Sequence, residues 1–200
     1  MIKKELLEHY GAEEKHYRKS EVIFEVNTEA HYYFQILSGE IKMNNYNDEG
    51  KEFIQAFFKP GESFGEPPLF VNRLYPANAI ATEDSVILIV KKESFKKFLL
   101  EHPAEAISII ENLAQRLHYK AVMSAEIASE DPEHRVLQWI DYAIKHFNLS
   151  RNENGFLVDF TRQQIGDLTG LRVETVIRAI KSLEKKRMLK IINRKVYREI

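Results

Sequence analysis

The stretch from Thr161 to Lys181 constrains the chain more than any other. It opens on Thr161 with Gln164 three residues later, the reciprocal pair that satisfies free N–H groups at the start of a helix. It then runs through Ile165-Gly166-Asp167-Leu168-Thr169 to Gly170, a residue able to end that helix at positive φ, and a second helix restarts within three residues. Ile165, Leu171, Val176, Ala179 and Ile180 supply apolar contacts that lock two short helices at a steep angle, and Gly166 lets them approach closely. Two helices joined in this way form a helix-turn-helix. The second helix leaves Arg172, Glu174, Thr175, Arg178 and Lys181 outward. Arginine suits guanine O6 and N7, and a carboxylate accepts from cytosine N4. The four-residue spacing of Glu174 and Arg178 also fits a surface ion pair, but the surrounding motif favours base contact. Beyond Lys185-Lys186-Arg187, the stretch Met188 to Tyr197 reads as a β-hairpin turning at Asn193-Arg194. Such a wing would place Lys190, Arg194 and Lys195 against phosphates.

Charge is distributed accordingly. Residues 151–200 carry 12 Lys+Arg against 6 Asp+Glu, whereas the first 150 carry 17 against 24. The net charge of −1 therefore hides a basic C-terminal part, the part expected to meet a polyanion. Between Ser20 and about Val90 the pattern is β: Glu21–Val26, Tyr32–Leu37 and Glu40–Met43 read as strands, with turn signals at Asn47–Gly50, Pro60-Gly61, Pro67-Pro68 and Glu83-Asp84. Short strands at this spacing point to a roll, barrel or sandwich rather than a βαβ sheet.

From Ser94 the period becomes helical, and Pro103 suits a helix start. Ala106, Ile110, Leu113, Leu117, Ala121, Ser124 and Ile127 form a narrow apolar stripe, the seam of a helix on the order of 35–40 Å long. A helix of that length calls for a partner, either a second copy in a parallel coiled coil or its own domain. Asp131 and Pro132 start another helix, which buries Val136, Leu137, Trp139, Ile140, Ala143 and Ile144, so a boundary and hinge are expected at 129–131.

Four stretches make the chain resemble the cyclic-AMP-receptor-protein/fumarate-nitrate-regulator (CRP/FNR) family from about residue 20 to 198. They are Tyr33 to Lys42, Pro60-Gly61-Glu62-Ser63-Phe64-Gly65-Glu66, Ala77 to Ser85, and the helix-turn-helix itself. The resemblance implies an α+β chain with an N-terminal double-stranded β-helix (β-roll) sensor domain over 1–99. A dimerisation helix and hinge would span 100–130, and a winged helix-turn-helix domain 131–200. It further implies a homodimer on a palindrome of TGA-like half-sites, read by Glu174 and Arg178 with Val173 and Thr175. Thr161, Arg162, Gln163, Arg172, Lys181, Lys190, Arg194 and Lys195 would hold the DNA backbone. Val173 is similar to the FNR branch, whereas Ile177 matches neither branch. Ile110, Leu113, Leu117, Ala121 and Ser124 would form the dimer interface, and Gly65, Glu66, Tyr75, Pro76 and Lys120 the effector pocket. Double-stranded DNA, a second copy, RNA polymerase and an unidentified small-molecule effector are the partners so implied.

The sensor departs from the cyclic-nucleotide pattern. Gly65-Glu66 is kept, but the Arg-Ser pair that grips the cyclic phosphate in such members falls on Tyr75-Pro76. Proline has no backbone N–H, tyrosine has no charge at neutral pH, and Arg73 lies two residues upstream. Tight cyclic-AMP binding is therefore not expected. Without cysteine there is no disulfide, thiol switch or cysteine-ligated iron–sulfur cluster, and the seven histidines lack ligand-like spacing. No metal site, cofactor or catalytic constellation stands out. A cupin-type enzyme would need clustered histidines, whereas the β region has only His31. A ligand-binding module that has lost DNA binding is the remaining rival, and Glu174, Arg178 and the wing cations argue against it. No signal peptide or membrane-length apolar run is readable, so a cytoplasmic location is expected.

Overall fold

The computed structural model describes residues 2–50, 52–128, 131–146 and 149–199. The hinge residues Ser129 and Glu130 lie outside these, and so do the side chains of 119, 122–128 and 146, with Ser124 and Ile127 among them. The chain divides into two compact units, Met1–Arg116 and Leu117–Ile200.

In the first unit α1 (Lys4–Glu8) and β1 (Glu13–Tyr17) lead into β2 (Val22–Phe24), β3 (Tyr32–Ser38), β4 (Ile41–Tyr46), β5 (Glu52–Phe58) and β6 (Ser63–Phe64). Helix α2 (Glu66–Val71), β7 (Asn78–Ala81), β8 (Ser85–Lys91) and α3 (Lys92–Glu101) follow, and α4 (Pro103–Ala128) begins before the unit ends. Two antiparallel sheets result, ordered β1-β8-β3-β6 and β2-β7-β4-β5. Their inner faces share one core, with Phe24, Tyr33, Ile36, Ile41, Ala79, Ile87 and Leu88 from strands and Leu7, Phe95 and Phe98 from helices. The expected antiparallel β domain is present.

Strand β8 is apolar almost throughout because it lies between β1 and β3. Strand β1 carried no such signal: Glu13-Glu14-Lys15-His16 is exposed, as suits a sheet edge that must not recruit another strand. The apolar period that begins near Ser94 belongs to two helices, which part at His102.

The second unit holds α5 (Pro132–His146), β9 (Arg151–Asn152), β10 (Gly155–Val158), α6 (Arg162–Thr169), α7 (Val173–Lys185), β11 (Lys190–Ile192) and β12 (Lys195–Arg198). Asp131 caps α5 by accepting from the Glu133 N–H at 2.9 Å. Val136, Trp139, Ile140 and Ala143 form the buried face of α5, which packs on α6 and α7. The sheet is ordered β11-β12-β10-β9. Asn193 and Arg194 turn the β11–β12 hairpin with φ of 49° and 66°, the paired left-handed conformation that suits the twist of a two-residue hairpin. Among the described residues no helix is long and apolar enough to cross a membrane.

Gly39 joins β3 to β4 at φ 88°, and a Cβ there would lie 2.6 Å from Cα of Ser85. Both the backbone conformation and the space exclude a side chain. Gly39→Ala is expected to destabilise the protein by about 2–3 kcal/mol, read as a lower urea midpoint at unchanged m value.

Candidate functional site

In the second unit the helix-turn-helix forms from local chemistry. Thr161 Oγ1 accepts from the Gln164 N–H at 3.1 Å, and Gln164 Oε1 accepts from the Thr161 N–H at 2.8 Å. Gly170 ends α6 at φ 71°, and a Cβ on Gly166 would lie 2.9 Å from the Leu171 carbonyl oxygen. Glycine at 166 is therefore what permits this crossing. Val176, Ala179, Ile180 and Leu183 form the buried face of α7. Arg172, Glu174, Arg178 and Lys181 are exposed, while Val173 and Thr175 are half-buried beside them. Among the described residues Arg178 is held by Thr175, with Nη2 3.5 Å from Oγ1, and not by Glu174. The ion-pair reading of that spacing thus finds no support, and both charges are left to solvent.

A groove beside α6 is lined by Thr161, Arg162, Gln164, Arg194 and Lys195. Arg162 donates to the Arg194 carbonyl at 3.3 Å, which ties the start of α6 to the hairpin turn. Burial lowers the pKa of the Arg162 guanidinium. Gln163 is exposed and donates to Asp167 at 2.8 Å. Of the three wing cations, Lys190 is paired with Glu199 at 2.6 Å, while Arg194 and Lys195 extend outward. Arg198 fixes β12 to α5 through two contacts with Asp141, at 2.8 and 3.2 Å. Sequence patterning did not single out that pair, whose members are far apart in the chain.

In the first unit, the proposed effector residues are only partly gathered. Gly65 (φ 74°) starts α2 and places Glu66 in the interior, where it is 1% exposed. Its partner is Arg116, which sequence reasoning missed. Arg116 Nη1 lies 3.4 and 3.3 Å from the two Glu66 oxygens, and Nη2 donates to the Ser63 carbonyl at 2.6 Å. The same guanidinium sits 4.9 Å over the Phe58 ring. Tyr75 is buried and stacks on Phe24 with ring centroids 3.7 Å apart. Burial, and then the nearby Glu66 charge, push its hydroxyl pKa well above the ordinary phenol value. Pro76 is exposed, and its carbonyl accepts from Asn45 at 2.8 Å. Lys120 is an exposed residue of α4 that belongs to the second unit.

The apolar stripe of α4 is also resolved into faces. Ile109 is in the core and Leu113 packs against it, with Arg116 one turn further on. Ile107, Ile110 and Leu117 are 55%, 58% and 70% exposed, and Ala114 and Ala121 are exposed too. Leu113, expected at a dimer seam, is thus engaged with its own domain, and Ile107 and Ala114 continue the outward row instead.

Two family models match this chain: a cyclic nucleotide-binding domain over residues 14–102 and a Crp-like helix-turn-helix domain over residues 134–199. The chain belongs to the CRP/FNR family. It is a CRP-family transcription regulator with a helix-turn-helix DNA-binding domain. It is 26% identical over 157 residues to the cAMP-activated global transcriptional regulator CRP of Haemophilus influenzae, covering 78% of this chain and 70% of that one. The fold of the c-di-GMP-responsive global regulator CLP of Xanthomonas campestris matches with a TM-score of 0.80 at 17% identity, covering 99% and 100% of the two chains. A CooA variant from Carboxydothermus hydrogenoformans matches with a TM-score of 0.82 at 19% identity, covering 100% and 88%. These relatives carry different effectors in their names, so membership in the CRP/FNR family does not by itself fix one.

The Arg116–Glu66 pair gives a direct test of how the sensor is held. Arg116→Ala strands a buried carboxylate and is expected to cost about 2–3 kcal/mol, less than a fully buried pair because Arg116 is partly exposed. Arg116→Met with Glu66→Leu removes both charges and should recover most of that loss. Equal denaturant midpoints for the single variant and the wild type would show that the pair contributes nothing.

Proposed function

We propose that this protein is a homodimeric regulator that reads a pseudo-palindromic DNA site through α7, with a sensor domain that does not take cyclic AMP. The observation that carries the reading is the split of α7 into two faces. One is buried through Val176, Ala179, Ile180 and Leu183; the other presents Glu174 and Arg178 with neither charge neutralised by the other. Glu174 accepts from a cytosine and Arg178 donates to a guanine, flanked by Val173 and Thr175. Thr161, Arg162, Gln163, Arg172, Lys181, Lys190, Arg194 and Lys195 meet phosphates, which supplies affinity and register but no sequence information. The regulator works in the cytoplasm, with RNA polymerase as its downstream partner. Its parts are the sensor over 1–99, the dimerisation helix and hinge over 100–130 and the reading domain over 131–200.

Dimerisation is supported by the outward row on α4. Ile107, Ile110, Ala114, Leu117 and Ala121 alternate by three and four residues, the repeat of a two-stranded seam, and leave large aliphatics in water. A twofold dimer places half-sites about one helical turn of DNA apart. The sensor reading is supported by occupancy: Glu66 already has Arg116, and Tyr75 lies flat on Phe24 where a ligand clamp would be required.

Selection from a randomised duplex pool at stated salt should yield a palindrome containing TGA-like half-sites. Arg178→Ala should relax one base pair and cost roughly 1–3 kcal/mol; an unchanged base preference removes Arg178 from the reading set. Leu117→Glu should give a monomer by sedimentation together with lost site binding, whereas Leu113→Glu should lower the unfolding midpoint of the sensor. An intact Leu117→Glu dimer would discard the seam. Calorimetry should detect no cyclic-AMP binding, and a low-micromolar dissociation constant would reverse that part of the proposal.

A further inference from the structure

The DNA-facing side of α7 contains one residue that charge chemistry does not explain. Ile177 is 38% exposed, on a helix whose other aliphatics beyond Val173 are buried. It lies three residues after Glu174 and four before Lys181, about 60° round the helix from Glu174. Its neighbours on that side, Glu174, Arg178 and Lys181, are all exposed and charged. The core of the unit is closed beneath it by Val176, Ala179 and Ile180, so Ile177 adds nothing to that packing that a smaller residue would lack.

We propose that Ile177 is a specificity-determining residue that selects thymine at a base pair next to those read by Glu174 and Arg178, through the thymine C5 methyl group. This inference rests on the reading of α7 given above and names a base that the charged pair cannot specify. The chemistry leaves little choice. An isoleucine side chain neither donates nor accepts a hydrogen bond, so at a major-groove edge it favours the one base that presents a methyl group. It also disfavours the others: an apolar side chain pressed on a cytosine amino group, or on the N7 and O6 of guanine, removes water from polar atoms and returns no partner. Selection by Ile177 is thus both attractive and exclusive. Thr175, on the opposite flank of the face, is already in contact with Arg178 and is half-buried, so it does not compete for that methyl group.

The test uses the full-length protein and the site it selects. Each thymine of the selected half-site is replaced in turn by deoxyuridine, which removes the methyl group and leaves the Watson–Crick and polar major-groove edges intact. One replacement should weaken wild-type binding about fourfold, the factor that one buried methyl group contributes. With Ile177→Ala that replacement should have no effect, and repeated selection should lose its thymine preference at the same position. Ile177→Val should keep a reduced sensitivity. Because Ile177 is outside the core, circular dichroism and the thermal midpoint should match wild type. A selected site that tolerates deoxyuridine everywhere overturns this inference alone, as does an Ile177→Ala variant that keeps both the thymine preference and its methyl dependence. Wild-type protein that selects no sequence overturns the base-reading role of α7 and this inference with it.

Discussion

The pairing of Glu66 with Arg116 sets much of what the sensor unit can do. A carboxylate taken out of water requires a partner close at hand, since leaving it alone costs several kcal/mol. Glu66 is carried inward by the left-handed Gly65 at the start of α2, and the only way to meet it from α4 is to turn Arg116 toward the sheets. Ile109 and Leu113, seven and three residues earlier, then share that face and enter or cover the core. Once this rotation is fixed, Ile107, Ile110 and Ala114 are directed away from the sheets, because a helix cannot present both rows to one surface. The inward ion pair and the outward apolar row are two consequences of one helix rotation.

A similar economy organises the reading head. Gly166 has no side chain because the Leu171 carbonyl occupies that space, and this close crossing buries Val176 and Ile180 completely or nearly so. With the aliphatic face of α7 committed, the polar face has nowhere to go but outward. Arg198 then holds β12 to α5 through Asp141, and Arg162 holds the hairpin turn to the start of α6. The cations of the wing are therefore positioned by hydrogen bonds, not merely placed by charge composition.

How much of this was legible in the sequence followed the range of the interactions. The Thr161–Gln164 cap, the Gly170 stop, the Asp131 cap and the Asn193-Arg194 turn depend on residues within a few positions of one another, and each is present. The two faces of α4 were not separable by period: Leu113 and Ala114 both fit a three-or-four spacing from Ile110, and Leu113 is the larger aliphatic. Only its contact with the β core assigns it inward. Arg116 could have been noticed as the third member of the row Ile109, Leu113, Arg116, but its partner lies 50 residues upstream. Strand β1 was illegible for the opposite reason, since an edge strand covered in charge has no apolar alternation to show.

The two candidate sites differ in one physical respect that bears on function. In the sensor, the groups able to bind a ligand are engaged with each other: Glu66 with Arg116, Arg116 with the Ser63 carbonyl, and Tyr75 with Phe24. Any effector entering there must first displace an ion pair or a stacked ring, so its affinity is reduced by the free energy of those contacts. On α7 the reverse holds. Glu174 and Arg178 stand in water without a mutual bond, and a base edge that meets them replaces only solvent. Intramolecular contacts that saturate one site and spare the other bias the molecule toward DNA as its first partner, and they make the Arg116–Glu66 contact the place where an effector would have to act.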